Sequence, residues 1–347
     1  MNVPNISRLI ARILAGTWRV LPAPLDISES ELRAAAPSLL QSGAGALGWR
    51  RVAASNLSTS EASGELQQAY RLHTLRGLAH ERDLRRVLIL LRGHAIDPIL
   101  VKGWSIARLY PEPGLRPYGD IDLCVYPPDF TRAQAVLKKA EGNASSVDLH
   151  CGFQNFDRQP WEALHKRSVL VEMGDVEIRV LCPEDQLRLL CFHLLREGAW
   201  RPLWLCDVAV AVESRLPNFD WELCLSREPK RIQWIACVIL LAQCLVDANL
   251  DGVPSLVNST QLPRWLVPSV LKEWNAPSMP LRHRMPLFGT AHPIKTLRGL
   301  RARWPNPIEG TIGVSGPFNE MPRLPFQLGQ CVMRTAKYFQ LLPDFMR

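Results

Sequence analysis

Two aspartates one residue apart open the stretch Asp120-Ile121-Asp122-Leu123-Cys124-Val125-Tyr126, which alternates with a period of two and stops at Pro127-Pro128. On a strand, residues i and i+2 project to one side, so both carboxylates share a face while Ile121 and Leu123 turn to the core. Like charges roughly 6–7 Å apart along a strand repel unless a cation sits between them. Hard oxygen ligands on a rigid strand suit Mg²⁺, which fills its remaining positions with water and substrate phosphates. Such a pair also recurs by chance at exposed strand edges, so its surroundings decide. Val147-Asp148-Leu149-His150 places a third carboxylate, Asp148, between apolar residues on a second strand. Three carboxylates on adjacent strands are the pattern of two-metal phosphoryl transfer, in which one ion grips nucleotide phosphates and the other lowers the pKa of the attacking hydroxyl.

Upstream, Lys102-Gly103 ends a short apolar strand where it turns into a helix. Such a turn brings backbone N–H groups and a lysine close to a phosphate, although a surface lysine is the plainer alternative. Arg116 lies four residues before Asp120 in a Gly/Pro loop, suited either to phosphate binding or to pairing with Asp120. His150 shares the face of Asp148 and is expected to meet a base or acceptor, or to rest against the carboxylate. His193 and Asp207 support the site from behind or pack helix on helix, and Trp104, Trp200 and Trp204 read as core.

The elements that position these residues follow from the periodicity. Residues 1 to about 60 read as short helices punctuated by Pro22, Pro24 and Pro37. A long helix runs from Glu65 to Leu91, its apolar stripe read through Leu66, Tyr70, His73, Leu75, Leu78, Leu84, Val87, Leu88 and Leu91. Next come a strand at Asp97–Gly103, a helix from Trp104 to Tyr110, the strand Asp120–Tyr126, a helix to about Ala140 and a strand from Ser146 to Phe153. Val169–Met173 and Val176–Leu181 flank Gly174-Asp175, a hairpin signal. Helices resume at Pro183 and continue to about Leu250, with breaks near Gly198 and Pro217; from Leu262 onward prolines leave only short helical stretches. The expected fold is α/β (α+β): a small mixed sheet carries the carboxylates, helices flank it, and a further helical domain follows. The expected division is an N-terminal helical extension over 1–64, the core over 65–182, a helical domain over 183–260 and a basic, Pro-rich C-terminal segment over 261–347.

Composition removes several classes. At 347 residues and 47% hydrophobic, the chain can bury a large core and is no disordered polymer. Its longest apolar run, Ile235 to Val246, is broken by Gln243 and falls short of the roughly 20 residues a bilayer span needs, so no transmembrane segment is expected. Arg8, Arg12 and Arg19 interrupt any secretory signal, and nine scattered cysteines without a CxxC read as buried, reduced thiols of a cytoplasmic protein. The net charge of +8 resides wholly in residues 261–347, where twelve Lys or Arg face four acids. That segment suits a polyanion, whether nucleic acid, anionic lipid or phosphorylated substrate, or serves as solvated surface.

The run Ile99-Leu100-Val101-Lys102-Gly103-Trp104-Ser105-Ile106-Ala107, then Leu109-Tyr110-Pro111, Arg116 and Asp120-Ile121-Asp122-Leu123, resembles a bacterial uncharacterised nucleotidyltransferase family of the DNA-polymerase-beta-like superfamily. Val147-Asp148-Leu149-His150 is similar to its third-carboxylate strand. His193, Trp200 and Leu205-Cys206-Asp207 are similar to a later helical motif, and the resemblance covers roughly residues 65 to 250. It implies a transferase with a two-metal Mg²⁺ site on Asp120, Asp122 and Asp148, moving NMP from an NTP such as ATP to an acceptor hydroxyl. The acceptor is expected to be a small molecule, a sugar or a modified peptide; the alternatives are an RNA end or a catalytically silent binding protein on the same scaffold. The superfamily's Gly-Ser pair, whose serine contacts the triphosphate, reads here as Gly103-Trp104-Ser105. The resemblance therefore assigns the nucleotide phosphates to Lys102, Gly103, Ser105 and Arg116.

Overall fold

The computed structural model describes residues 5–139, 147–153, 159–226, 228–275 and 304–345. Three N-terminal helices, α1 (Ile6–Leu14), α2 (Glu29–Gln41) and α3 (Gly45–Val52), precede the 33-residue α4 (Glu61–Gly93). Serines set two of their starts. Ser28 and Glu31 form a reciprocal capping box on α2, and Ser60 caps α4.

The mixed core follows as β1 (Ile99–Val101), α5 (Trp104–Ala107), β2 (Ile121–Val125), α6 (Phe130–Lys139), β3 (Val147–Cys151), α7 (Trp161–Arg167), β4 (Val169–Met173) and β5 (Val176–Val180). The strands form one sheet in the order β3-β2-β1-β5-β4, with β2 antiparallel to β1 and parallel to β3. Ile121, Leu123 and Val125 pack with the C-terminal half of α4 and with α6, whereas Cys124 packs on the opposite face with Phe153, Leu164 and Leu189. The period-two reading of β2 therefore holds, with one correction. The strand begins at Ile121, not Asp120, because β1 pairs with β2 only as far as Val101↔Asp122 and β3 only as far as Val147↔Ile121. Beyond those registers Asp120 has no ladder to join, and it is exposed.

Helices α8 (Pro183–Arg196), α9 (Pro202–Glu213), α10 (Trp221–Leu225), α11 (Pro229–Val246), α12 (Ser255–Asn258) and α13 (Leu266–Trp274) lead to α14 (Pro307–Gly313) and α15 (Leu324–Phe345). With 22 residues, α15 corrects the expectation of only short helices after Leu262. Its single early proline, Pro325, falls in the first turn, where the missing N–H breaks no helical bond. Residues of α1–α4, α8–α11, α13 and α14 share one large hydrophobic core. Among the described residues α11 is the one helix long and apolar enough to cross a membrane, and 61% of it is buried inside the fold. All nine thiols are free; Cys151 and Cys244 are exposed, Cys331 is half-buried and the other six are buried.

Candidate active site

Strand register brings the carboxylates together. Asp122 on β2 pairs with Asp148 on β3, and His150, two residues on, shares the face of Asp148. Its Nε2 lies 3.0 Å from Asp122 Oδ1 and 3.3 Å from Asp148 Oδ2. Lys102 Nζ approaches the same Asp122 oxygen to 3.4 Å. Burial would raise the Asp122 carboxyl, but the hydrogen bond from His150 and the Lys102 charge outweigh it and hold this group below the usual carboxylate range. One ligand atom from each of Asp122, Asp148 and His150 lies within 4.8 Å of the others. Two carboxylates and an imidazole at this spacing fit a divalent cation. Asp120, expected to be a ligand, is not part of this group; it lines a cavity together with Asp122 and Lys102.

The Lys102-Gly103 turn carries a conformational cost. Lys102 has φ +56° and Gly103 φ +48°, the left-handed region that a side chain disfavours. Gly103 also passes close to the backbone of its neighbour, since a Cβ there would touch the Asp120 carbonyl at 3.4 Å. This contorted link swings the Lys102 side chain toward Asp122.

Two expected phosphate ligands are engaged within the fold. Ser105 is buried, and its hydroxyl donates to the Lys102 carbonyl at 2.7 Å. Arg116 pairs with Asp207 of α9 rather than with Asp120: its Nη2 donates to Oδ2 at 2.9 Å and its Nε to Oδ1 at 3.2 Å. Tyr110 donates to the same carboxylate at 2.9 Å. Burial opposes the Arg116 charge, yet Asp207 outweighs it and raises the guanidinium further. Asp207 thus fixes the loop leading into β2. His193 rests edge-on against Trp204 at 4.5 Å, and burial, with Lys102 and Arg116 nearby, keeps it well below the usual imidazole range and neutral.

The cavity holding Asp120 and Asp122 has a volume of about 570 Å³. Its lining also contains His73, Arg76 and His80 of α4 and Arg201 at the start of α9, none of them assigned to the site from sequence. Positions 66, 70, 73, 77, 80, 84, 87 and 91 of α4 follow one another at three- and four-residue steps and so form one face. That face is buried by Leu66 at one end and by Leu84, Val87 and Leu91 at the other. Polar residues in the middle of a core-facing register were the available signal. Leu75 and Leu78, read into the apolar stripe, are instead 66% and 59% exposed; Leu75 follows His73 by two residues, about 200° around the helix, which turns it and its neighbour Leu78 to the other side.

The model of a family described as uncharacterised nucleotidyltransferases matches residues 41–148 and 141–247, more than half of the chain. The chain belongs to this family. The match spans the sheet, the carboxylates, α4, α8, α9 and α11, and reaches further upstream than the resemblance at 65–250. No curated protein and no solved structure is significantly similar to this nucleotidyltransferase family member.

Proposed function

We propose that the protein is a Mg²⁺-dependent nucleotidyltransferase that moves NMP from an NTP, such as ATP, to a hydroxyl of a small molecule, sugar or modified peptide, releasing pyrophosphate. The observation carrying this reading is the convergence of Asp122, Asp148 and His150 beside Lys102 in a member of a nucleotidyltransferase family. Asp122 and Asp148, with Asp120 alongside, would hold the metal, and His150 supplies a further donor. When bound, the divalent ions would neutralise phosphate charge and acidify the acceptor hydroxyl. Asp148, the more exposed of the paired carboxylates, would help deprotonate the acceptor hydroxyl. Lys102 would offset charge growing on the leaving pyrophosphate, and Gly103 lets the backbone approach the phosphates. Arg116, through Asp207, holds the loop that delivers Asp120. Residues 65–182 would form the catalytic unit, working in the cytoplasm. An RNA acceptor would draw on the basic stretch at 282–303, which lies outside the described residues.

Incubation with each labelled NTP, Mg²⁺ and a cell extract tests the reading. Label should pass to one acceptor class, and Asp122→Asn should abolish the transfer. Label transfer undiminished in Asp122→Asn would overturn it.

A further inference from the structure

The cavity lining includes a guanidinium, Arg201, that has no ion pair among the described residues. Arg201 donates from Nε to the Ser42 carbonyl, and its guanidinium carbon sits 5.6 Å from the centre of the Trp204 ring. Gly43 leaves the room it occupies: at φ +75°, its missing Cβ would overlap Arg201 Nη2. Among the described residues, Arg201 forms no ion pair, and the nearby Asp207 is already taken by Arg116 and Tyr110. Burial, reinforced by Arg116, pushes the Arg201 guanidinium down to about 10, which still leaves it charged at neutral pH. Asp207 and Asp120 offset that burial only in part, so this half-buried cation, without an ion pair among the described residues, favours an incoming anion.

To the same lining α4 contributes His73, Arg76 and His80 at steps of three and four residues. Arg76 is exposed and has no ion pair among the described residues. The Nδ1 atoms of His73 and His80 are buried without a hydrogen-bond partner. Two guanidiniums without an ion pair among the described residues, and two histidines, thus line the space that also receives Asp120 and Asp122. A singly charged ligand would leave much of that wall unmatched, whereas a polyphosphate chain can meet both arginines. The volume, about 570 Å³, lies within the range of roughly 300–1,000 Å³ that holds one small-molecule ligand.

We propose that Arg76 and Arg201 clamp the triphosphate of the nucleotide donor in the cavity that Asp120 and Asp122 also line, with His73 and His80 hydrogen-bonding the same chain. The clamp takes over the contact that the superfamily's Gly-Ser pair would make, since Ser105 spends its hydroxyl on Lys102. This assignment rests on the nucleotidyltransferase reading above. It makes α4 and α9, rather than the sheet, the elements that recognise the donor's charge.

Calorimetric titration of the full chain with inorganic tripolyphosphate, and with a non-hydrolysable ATP analogue plus Mg²⁺, tests the clamp. Arg76→Ala and Arg201→Gln should each weaken both probes by about ten- to a hundredfold, the loss of one charge-assisted contact. Arg201→Lys should recover only part, because an ammonium lacks the planar fork. Arg71→Ala, an exposed helix position outside the cavity, should change nothing. Arg76 is exposed, so its variant decides the matter even if Arg201→Gln unfolds. Unchanged tripolyphosphate affinity in a folded Arg76→Ala variant would overturn the proposal. Loss of transfer with tripolyphosphate binding intact would also overturn it and assign the wall to an anionic acceptor. If the wild-type chain bound neither probe, the nucleotide reading itself would fall. If it bound and transferred nucleotide and both variants did the same, the clamp alone would.

Discussion

At the scale of single residues, the centre of the site is stabilised rather than strained. Two adjacent carboxylates on bare strands would repel, and Asp122→Asn would then relieve the fold. Asp122 instead accepts from His150 and lies beside Lys102. Without metal, Asp122→Asn should therefore destabilise the fold by about 1–3 kcal/mol at pH 7, the worth of hydrogen bonds to a charged group. The folded carboxyl lies below its usual range, so the wild-type advantage is complete above the unfolded carboxylate value and shrinks as pH falls through the folded one. Urea unfolding in chelator at pH 7 and at pH 3 reads this directly: the gap between the two proteins should narrow at the lower pH, and equal midpoints at pH 7 would refute it. Much of this residue chemistry was legible. The spacing of Asp120 and Asp122, the position of Asp148 and the turn at Lys102 are local patterns with fixed geometric meaning. The partner of Arg116 was not, because Asp207 is 91 residues away and strand pairing alone cannot bring it close.

At the scale of elements, α4 is the instructive case. Its existence and approximate ends followed from periodicity, but its buried face did not, since Leu75 and Leu78 extend an apparent apolar stripe that the structure leaves exposed. The true inner face carries His73, Gly77 and His80 where the helix bridges from one hydrophobic core to the other, and Gly77 accepts there from the Tyr118 hydroxyl. A sequence pattern records hydrophobicity, not which side has a neighbour, so a functional stretch in a core register is read as a gap. The two assignments separate in the laboratory. Leu88→Ala, at a fully buried position, should cost about 2–5 kcal/mol in chemical denaturation, and Leu75→Ala should stay within about 0.5 kcal/mol of wild type. A larger loss at Leu75 than at Leu88 would restore the original stripe.

At the scale of the whole molecule, the C-terminal segment is structural before it is anything else. Trp274 donates to the Ala199 carbonyl and Asn306 to Gly198, while Leu266, Val270, Ile308 and Phe318 are buried in the main core. Each of these apolar side chains is worth roughly 1.5–3 kcal/mol on burial, so their summed loss rivals the total stability of about 5–15 kcal/mol expected of a native protein. A chain ending at Gln261 should therefore lack a cooperative thermal transition by near-ultraviolet dichroism; a sharp transition near that of the full chain would show the segment to be dispensable. Its charge is better probed by substitution. With Arg282, Arg284, Lys295 and Arg298 replaced by Gln in the full chain, RNA affinity should fall and its salt dependence flatten if RNA is the acceptor, and unchanged binding would remove that alternative.

Cys124 lies two residues along β2 from Asp122, in register with His150, on the buried face. Burial first, then the neighbouring Asp122, pushes its thiol well above the ordinary cysteine range, so in the closed fold it is both shielded and poorly nucleophilic. Alkylating reagents can reach it only when the strands around the site part. The chain thus carries its own clock for local opening: Cys151 and Cys244, exposed, label at once and calibrate the reagent, while the lag of Cys124 measures how seldom the catalytic strands breathe. Anything that ties Asp122 to Asp148 should lengthen that lag.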